Sequence, residues 1–233
     1  MTLTTIEVGS FFWYFGFGIL ATMALLFFVV APRAGDQIWS KWKKILGVMI
    51  FLNQAFYWFM AISEGIFTLQ ESPPLHMCGI SELLLFAYLT FDVRKVFPIL
   101  VFWGPLGGIQ AFLTPAMEST FTWAYIIQFY MAHSFVVLVP IYLMVKGGEK
   151  LPTGTFWRTI VITNIAGFAM MAINSILGSN YWYVNQPPPV NHPLVQGEWP
   201  YYLIGMEVAV VTLFFLFSLA FRKFKVDISP GRS

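Results

Sequence analysis

The chain has 233 residues, of which 58% are hydrophobic, 19% aromatic and only 10% charged, with a net charge of +2. A soluble domain carries about a quarter charged residues, so this chain lacks the polar side chains to cover a water-facing surface. Lipid is the solvent that fits, and a basic nucleic-acid-binding surface is excluded by the low charge and its scatter. The single cysteine, Cys78, excludes a disulfide within the chain and a Cys-based zinc site. His76, His133 and His192 are too widely spaced for a metal-ligand motif.

A spanning helix needs roughly 20 predominantly apolar residues. In chain order, seven segments meet that demand: Ser10–Ala31, Ile45–Leu69, His76–Val93, Val96–Met117, Thr122–Val145, Arg158–Gly178 and Trp199–Phe221. The N-terminus has no basic leader and the first apolar run is too long for a signal peptide, so it reads as a retained helix. The third segment is short and joins the fourth by a tight connection. No repeat is evident, and no intervening stretch is long enough to fold alone. The expectation is an all-α membrane bundle, a single seven-helix domain over residues 1–233.

Charge sets the orientation. Arg33, Lys41, Lys43 and Lys44 follow the first span, and Arg94 and Lys95 the third. Lys146, Lys150 and Arg158 follow the fifth, and Arg222, Lys223, Lys225 and Arg232 the seventh, which accounts for all 13 Lys and Arg. Glu7, Glu71, Glu118 and Glu198 lie in the opposite loops. The positive-inside rule then puts the N-terminus outside and the C-terminus in the cytosol, and the cytoplasmic membrane is the expected location. An even number of spans would break this segregation. Phe12, Trp13, Tyr14, Trp199, Tyr201 and Tyr202 mark the outer interface; Trp39, Trp42 and Trp157 mark the inner one.

Polar groups inside spans are costly and usually face a cavity or the bundle interior. Measured from the nearest basic anchor at about 1.5 Å per residue, Glu82 lies at ~18 Å, His133 at ~20 Å and Gln110 and Glu207 at ~22 Å. Cys78 and Asn174 come to ~24 Å, Gln128 to ~27 Å, and Glu64 to about 30 Å at the rim. The inner half holds little beyond Asn53, Gln54 and Asn164. This common depth points to a polar chamber open toward the outer face. The plainer reading is interhelical hydrogen bonding, which needs no ligand.

Cys78 sits in Ser72–Glu82, SPPLHMCGISE. Pro73 and Pro74 suit a helix start just after them, so Cys78 falls in or near a first turn. The unpaired N–H groups there stabilise a thiolate, and Glu82 shares its face one turn on. His76 reaches the thiol only from a loop. His133, at similar depth, is the better base, because a Cys–His pair is the usual way to activate a thiol for acyl transfer. The plainer readings are a small apolar filler for Cys78 and a packed hydrogen-bonder for His133.

Five blocks resemble a known family. Pro74–Cys78 (PLHMC) resembles the start of the third helix of the YwaF / transmembrane protein 164 family. Phe102–Pro115 (FWGPLGGIQAFLTP) is similar to its fourth helix and Ile127–Val137 (IQFYMAHSFVV) to its fifth. Asn174–Pro188 (NSILGSNYWYVNQPP) resembles its sixth helix and the loop after it, and Gly197–Glu207 (GEWPYYLIGME) its seventh. The resemblance implies a heptahelical protein and, from the animal branch, a phospholipid acyltransferase with an active-site cysteine. It makes Cys78 the nucleophile and His76 and His133 the motif histidines, and Gln110, Gln128, Asn174, Asn180 and Tyr181 fall on motif positions. Met77 stands where Leu is commoner. No metal or soluble cofactor is implied; the partner is a membrane phospholipid or lysophospholipid.

Two further readings remain open. One is a binding or transport protein whose chamber uses Glu64, Glu82 and Glu207, with Tyr181, Trp182 and Pro187–Pro189 as a lid. The other is a membrane subunit that needs a partner. A retinal protein is set aside, since the seventh span has no internal lysine.

Overall fold

Long apolar runs bounded by Pro, Gly and polar turns become helices because a backbone in lipid must satisfy its own hydrogen bonds. The computed structural model describes residues 4–117, 122–188 and 195–226. Glu118, Pro189, His192 and Arg232 lie outside the described residues. The helices are α1 (Phe11–Leu25, continued by a π-helical turn at Leu26–Val30), α2 (Trp39–Ser63), α3 (Met77–Phe91), α4 (Phe97–Leu113), α5 (Trp123–Val145), α6 (Thr155–Leu177) and α7 (Tyr201–Ala220). Four two-residue strands accompany them: β1 (Thr4–Thr5) pairs antiparallel with β2 (Ala116–Met117), and β3 (Leu151–Pro152) parallel with β4 (Lys225–Val226).

Among the described residues, six helical segments are long and apolar enough to cross a membrane: Phe11–Val30, Trp39–Ser63, Arg94–Leu113, Trp123–Val145, Thr155–Leu177 and Tyr201–Ala220. The expected third span is the exception. Its helix has 15 residues, a rise of about 22 Å against a hydrocarbon core of about 30 Å. Turn structure through Pro73 and Pro74 delays its start, and Asp92, in the left-handed conformation at φ 56°, ends it. The second helix also departs from expectation. It begins at Trp39 rather than Ile45, so Lys41, Lys43 and Lys44 lie within it, and it ends at Ser63, where Glu64 and Gly65 (φ 69°) turn the chain.

The chain divides into two compact units, Met1–Thr68 with Ser72–Glu149, and Leu69–Glu71 with Lys150–Ser233. In the first, α5 is the central helix, packed by α1, α2, α3 and α4. Its Tyr125, Tyr130, Phe135, Val136, Val139, Tyr142 and Leu143 are buried. Two glycines bring α4 against it. A Cβ on Gly108 would stand 2.7 Å from Val137 Cγ2, and one on Gly104 would collide with the Val136 carbonyl. At the basic end, the Tyr142 hydroxyl donates to the Pro32 carbonyl, and Lys146 Nζ to that of Ala31. Asp92 joins α3 to α2 there, accepting from Arg94 Nε at 3.0 Å and lying 3.6 Å from Lys43 Nζ. The Arg94 hydrogen bond, with help from Lys43, holds the exposed Asp92 carboxyl below the usual carboxylate range.

The second unit holds α6, α7 and the loop between them. Tyr202 of α7 donates from its hydroxyl to the Tyr183 carbonyl at 2.7 Å, and Trp199 Nε1 donates to the Val184 carbonyl at 3.2 Å.

Candidate functional site in the first unit

The chain around Cys78 is shaped by its prolines. His76, at φ −64° and ψ 152°, is the extended residue just before α3, and its carbonyl accepts from Ile80 N at 3.0 Å. It therefore lies outside the helix, as a role beside the thiol requires. Met77 opens the helix and Cys78 is its second residue. The N–H groups of Met77, Cys78 and Gly79 have no acceptor within the helix, by helix geometry. Pro74 folds back over this turn so closely that a Cβ on Gly79 would stand 2.8 Å from Pro74 Cα. Cys78 itself is half-buried.

One turn further on, Glu82 is 3% exposed. The Gln54 amide of α2, oriented by its hydrogen-bond partners, donates to Glu82 Oε2 at 2.7 Å and accepts from Trp58 Nε1 at 3.1 Å. Trp58 Nε1 also donates to the Ser72 carbonyl at 3.2 Å. Neighbouring Asn53 reaches two ways: its side chain interacts with Glu82, and it pairs with Gln128 of α5, its backbone carbonyl accepting from Gln128 Nε2 at 3.4 Å and its Nδ2 donating to the Gln128 carbonyl at 3.5 Å. Glu82 Oε1 is buried without a geometrically sound hydrogen-bond partner, and the carboxyl interacts electrostatically with Cys78. Asn53 and Gln54, expected in the inner half, thus stand level with Glu82 and Gln128. A depth counted from Lys44, which lies inside α2, falls short by more than a turn.

His133 of α5 holds its ring through Nδ1, 2.7 Å from the Phe129 carbonyl. A carbonyl only accepts, so Nδ1 carries the proton and Nε2 keeps a lone pair in the neutral ring. The ring lies 4.3 Å from that of Phe129, tilted by 44°, and interacts electrostatically with His76. The paired glycines of α4 relate the two helices. A Cβ on Gly107 would stand 3.8 Å from Cys78 Sγ, and one on Gly108 3.4 Å from the His133 carbonyl. Gly107 thus faces the Cys78 sulfur, and the adjacent Gly108 faces the His133 backbone carbonyl.

The other expected site residues make contacts of their own, each within its unit. Gln110 is exposed on α4. Glu64 is exposed at the end of α2 and interacts with Tyr125. In the second unit, Asn174 spends its whole amide on the loop after α6. Its Oδ1 accepts from Tyr181 N at 2.8 Å and Ser179 Oγ at 2.9 Å. Its Nδ2 donates to the Tyr181 carbonyl and Asn185 Oδ1, both at 2.9 Å. Asn180 pairs both ways with the Gln186 backbone at 3.0 Å. Tyr181 is buried, its hydroxyl donating to the Leu69 carbonyl at 3.0 Å. These three residues build a loop, and both ends of the Asn174 amide are engaged within it. Glu207 of α7 accepts from Asn164 of α6 at 3.0 Å, so Asn164 joins a carboxylate rather than standing alone in the inner half.

Among the described residues, no group of three or more His, Cys, Asp or Glu side chains converges to hold a metal ion. Gln54, Trp58 and Asn185 are partners that sequence reasoning missed. For Asn185 a signal existed: the loop is rich in Asn after a helix-ending Gly178, the composition of a side-chain-stapled turn.

The helices and their apolar surfaces define a multi-pass helical membrane protein. Its family follows from comparison: the model of the TMEM164 family matches residues 5–218, and the chain belongs to that family. No curated protein and no solved structure matches it.

Proposed function

We propose that this protein is an intramembrane acyltransferase or acyl hydrolase acting on phospholipid through a thioester on Cys78. The observation that carries the reading is that the Cys78 sulfur lies against Gly107 while the His133 backbone carbonyl lies against the adjacent Gly108, and membership of the TMEM164 family supports it. His133 Nε2 takes the thiol proton, and the sulfur attacks the ester carbonyl. The N–H groups of Met77, Cys78 and Gly79, with Gln128 as a side-chain alternative, face the oxyanion. Collapse breaks the C–O bond, and the leaving lysolipid oxygen takes the proton from His133. An acceptor hydroxyl or water then attacks the thioester while His133 removes its proton, and Cys78 is restored. His76 stands second as base. The seven helices, α3 included, cross the cytoplasmic membrane as one domain with the N-terminus outside, the orientation that the one-sided basic residues favour.

A second reading, a binding or transport protein, has one observation in its favour. Glu82 is buried with Oε1 lacking a hydrogen-bond partner, and α3 carries no Lys or Arg. The test is turnover in vesicles of diacyl phospholipid with added lysophospholipid. Cys78→Ala abolishes product, and His133→Ala slows it by about 10²–10⁴-fold, the usual weight of a general base. Full turnover by Cys78→Ala contradicts the thioester on Cys78, and no turnover by the wild type leaves the binding reading.

A further inference from the structure

The three glycines of α4 do not have the same reason to be glycine. Gly104 and Gly108 are fixed by packing: a side chain at either runs into the α5 backbone or Val137. Gly107 is different. The nearest atoms to a Cβ built there are Met77 Sδ at 3.4 Å, Met77 Cγ at 3.7 Å and Cys78 Sγ at 3.8 Å. Those are ordinary van der Waals contacts, two of them to the flexible end of a methionine. Its φ is not in the left-handed region, and it lies inside α4, where alanine forms helix better than glycine. Packing, backbone conformation and helix propensity therefore all accept alanine. What glycine provides is empty space against the sulfur.

A second observation points to the same place. Glu82, one turn along α3 and nine-tenths buried or more, interacts with Cys78 and keeps Oε1 without a hydrogen-bond partner. A buried polar atom with nothing to bond is costly unless something else serves it.

We infer that Gly107 is a specificity-determining residue: its missing side chain is the clearance through which the carbonyl of a lipid ester reaches Cys78 Sγ, with Glu82 beside that clearance. The inference rests on the acyl-enzyme reading above. A methyl group at residue 107 occupies the approach to the sulfur without disturbing the helix, and a branched side chain closes it. Small reagents and lipid esters then respond differently.

The 233-residue chain in vesicles suits the test, because Cys78 is the single cysteine of its sequence and thiol labelling reads one atom. Gly107→Ala and Gly107→Val are compared with wild type in thermal unfolding, in labelling by methyl methanethiosulfonate and by N-ethylmaleimide, and in phospholipid turnover. Gly107→Ala keeps or raises the melting temperature, labels with the small thiosulfonate within about twofold, and loses at least tenfold in maleimide labelling and turnover. Gly107→Val loses more of both. Maleimide labelling of Gly107→Val at the wild-type rate overturns the clearance. Slowed labelling together with full turnover by Cys78→Ala overturns the ester subsite through the enzyme reading, leaving a gated thiol without chemistry.

Discussion

Replacing Gln54 by leucine isolates the buried carboxyl at the centre of the first unit. In the native structure the Gln54 amide gives Glu82 Oε2 a 2.7 Å hydrogen bond and takes one from Trp58 at 3.1 Å. The substitution removes the hydrogen bond to Oε2 while Oε1 already lacks a geometrically sound one, which leaves Asn53 as the carboxyl's remaining polar neighbour. Trp58 keeps the Ser72 carbonyl. Interhelical hydrogen bonds in membranes average about 0.6 kcal/mol and reach about 1.7. Stranding a buried carboxyl oxygen belongs at the upper end, so Gln54→Leu costs about 2 kcal/mol. Glu82→Leu removes the group that needs the bond and leaves only an amide unpaired, at about 1 kcal/mol. The double variant removes both partners and recovers at least about 1 kcal/mol of the summed single losses. Reversible unfolding in mixed detergent micelles measures all four corners of the cycle. Losses that add, within about 0.3–0.5 kcal/mol, refute the reasoning and make the two side chains independent packing groups.

Three further outcomes follow from the same geometry. Asn174→Ala removes four hydrogen bonds from the loop after α6; it costs about 2–3 kcal/mol and opens residues 179–188 to hydrogen exchange, while Cys78 labelling is unchanged. Gly108→Ala, against Val137 at 2.7 Å, loses about 1–3 kcal/mol by overpacking, whereas Gly107→Ala does not. A reporter fused after Ser233 is cytoplasmic, and an extracytoplasmic signal there contradicts the orientation read from the 13 basic residues.

Much of this was legible before any coordinates. Six long helices follow from apolar runs of spanning length, and α5, the most buried, is uniformly apolar apart from a few polar residues that include Gln128 and His133. The position of Cys78 in a first turn followed from Pro73 and Pro74, and the structure makes it the second residue of α3. The length of α3 was not legible, because hydropathy does not register the proline turns before it or the left-handed Asp92 after it. The Gln54–Glu82 pair was hidden for another reason. Which faces of α2 and α3 meet is set by packing, and the start of α2 moved the depth scale by six residues, from Ile45 to Trp39. Asn174 was legible as a polar residue in a span, but its role was not: the four bonds it makes lie in a loop whose folded path the sequence pattern does not give.

The thioester is the central claim, and intact mass spectrometry of protein purified in native lipids tests it most directly. Wild-type protein carries a fatty-acyl mass on Cys78 that neutral hydroxylamine removes, and Cys78→Ala, folded to the same melting temperature, carries none and turns over no phospholipid. An unmodified wild-type protein, alongside Cys78→Ala that turns over phospholipid at the full rate, contradicts it.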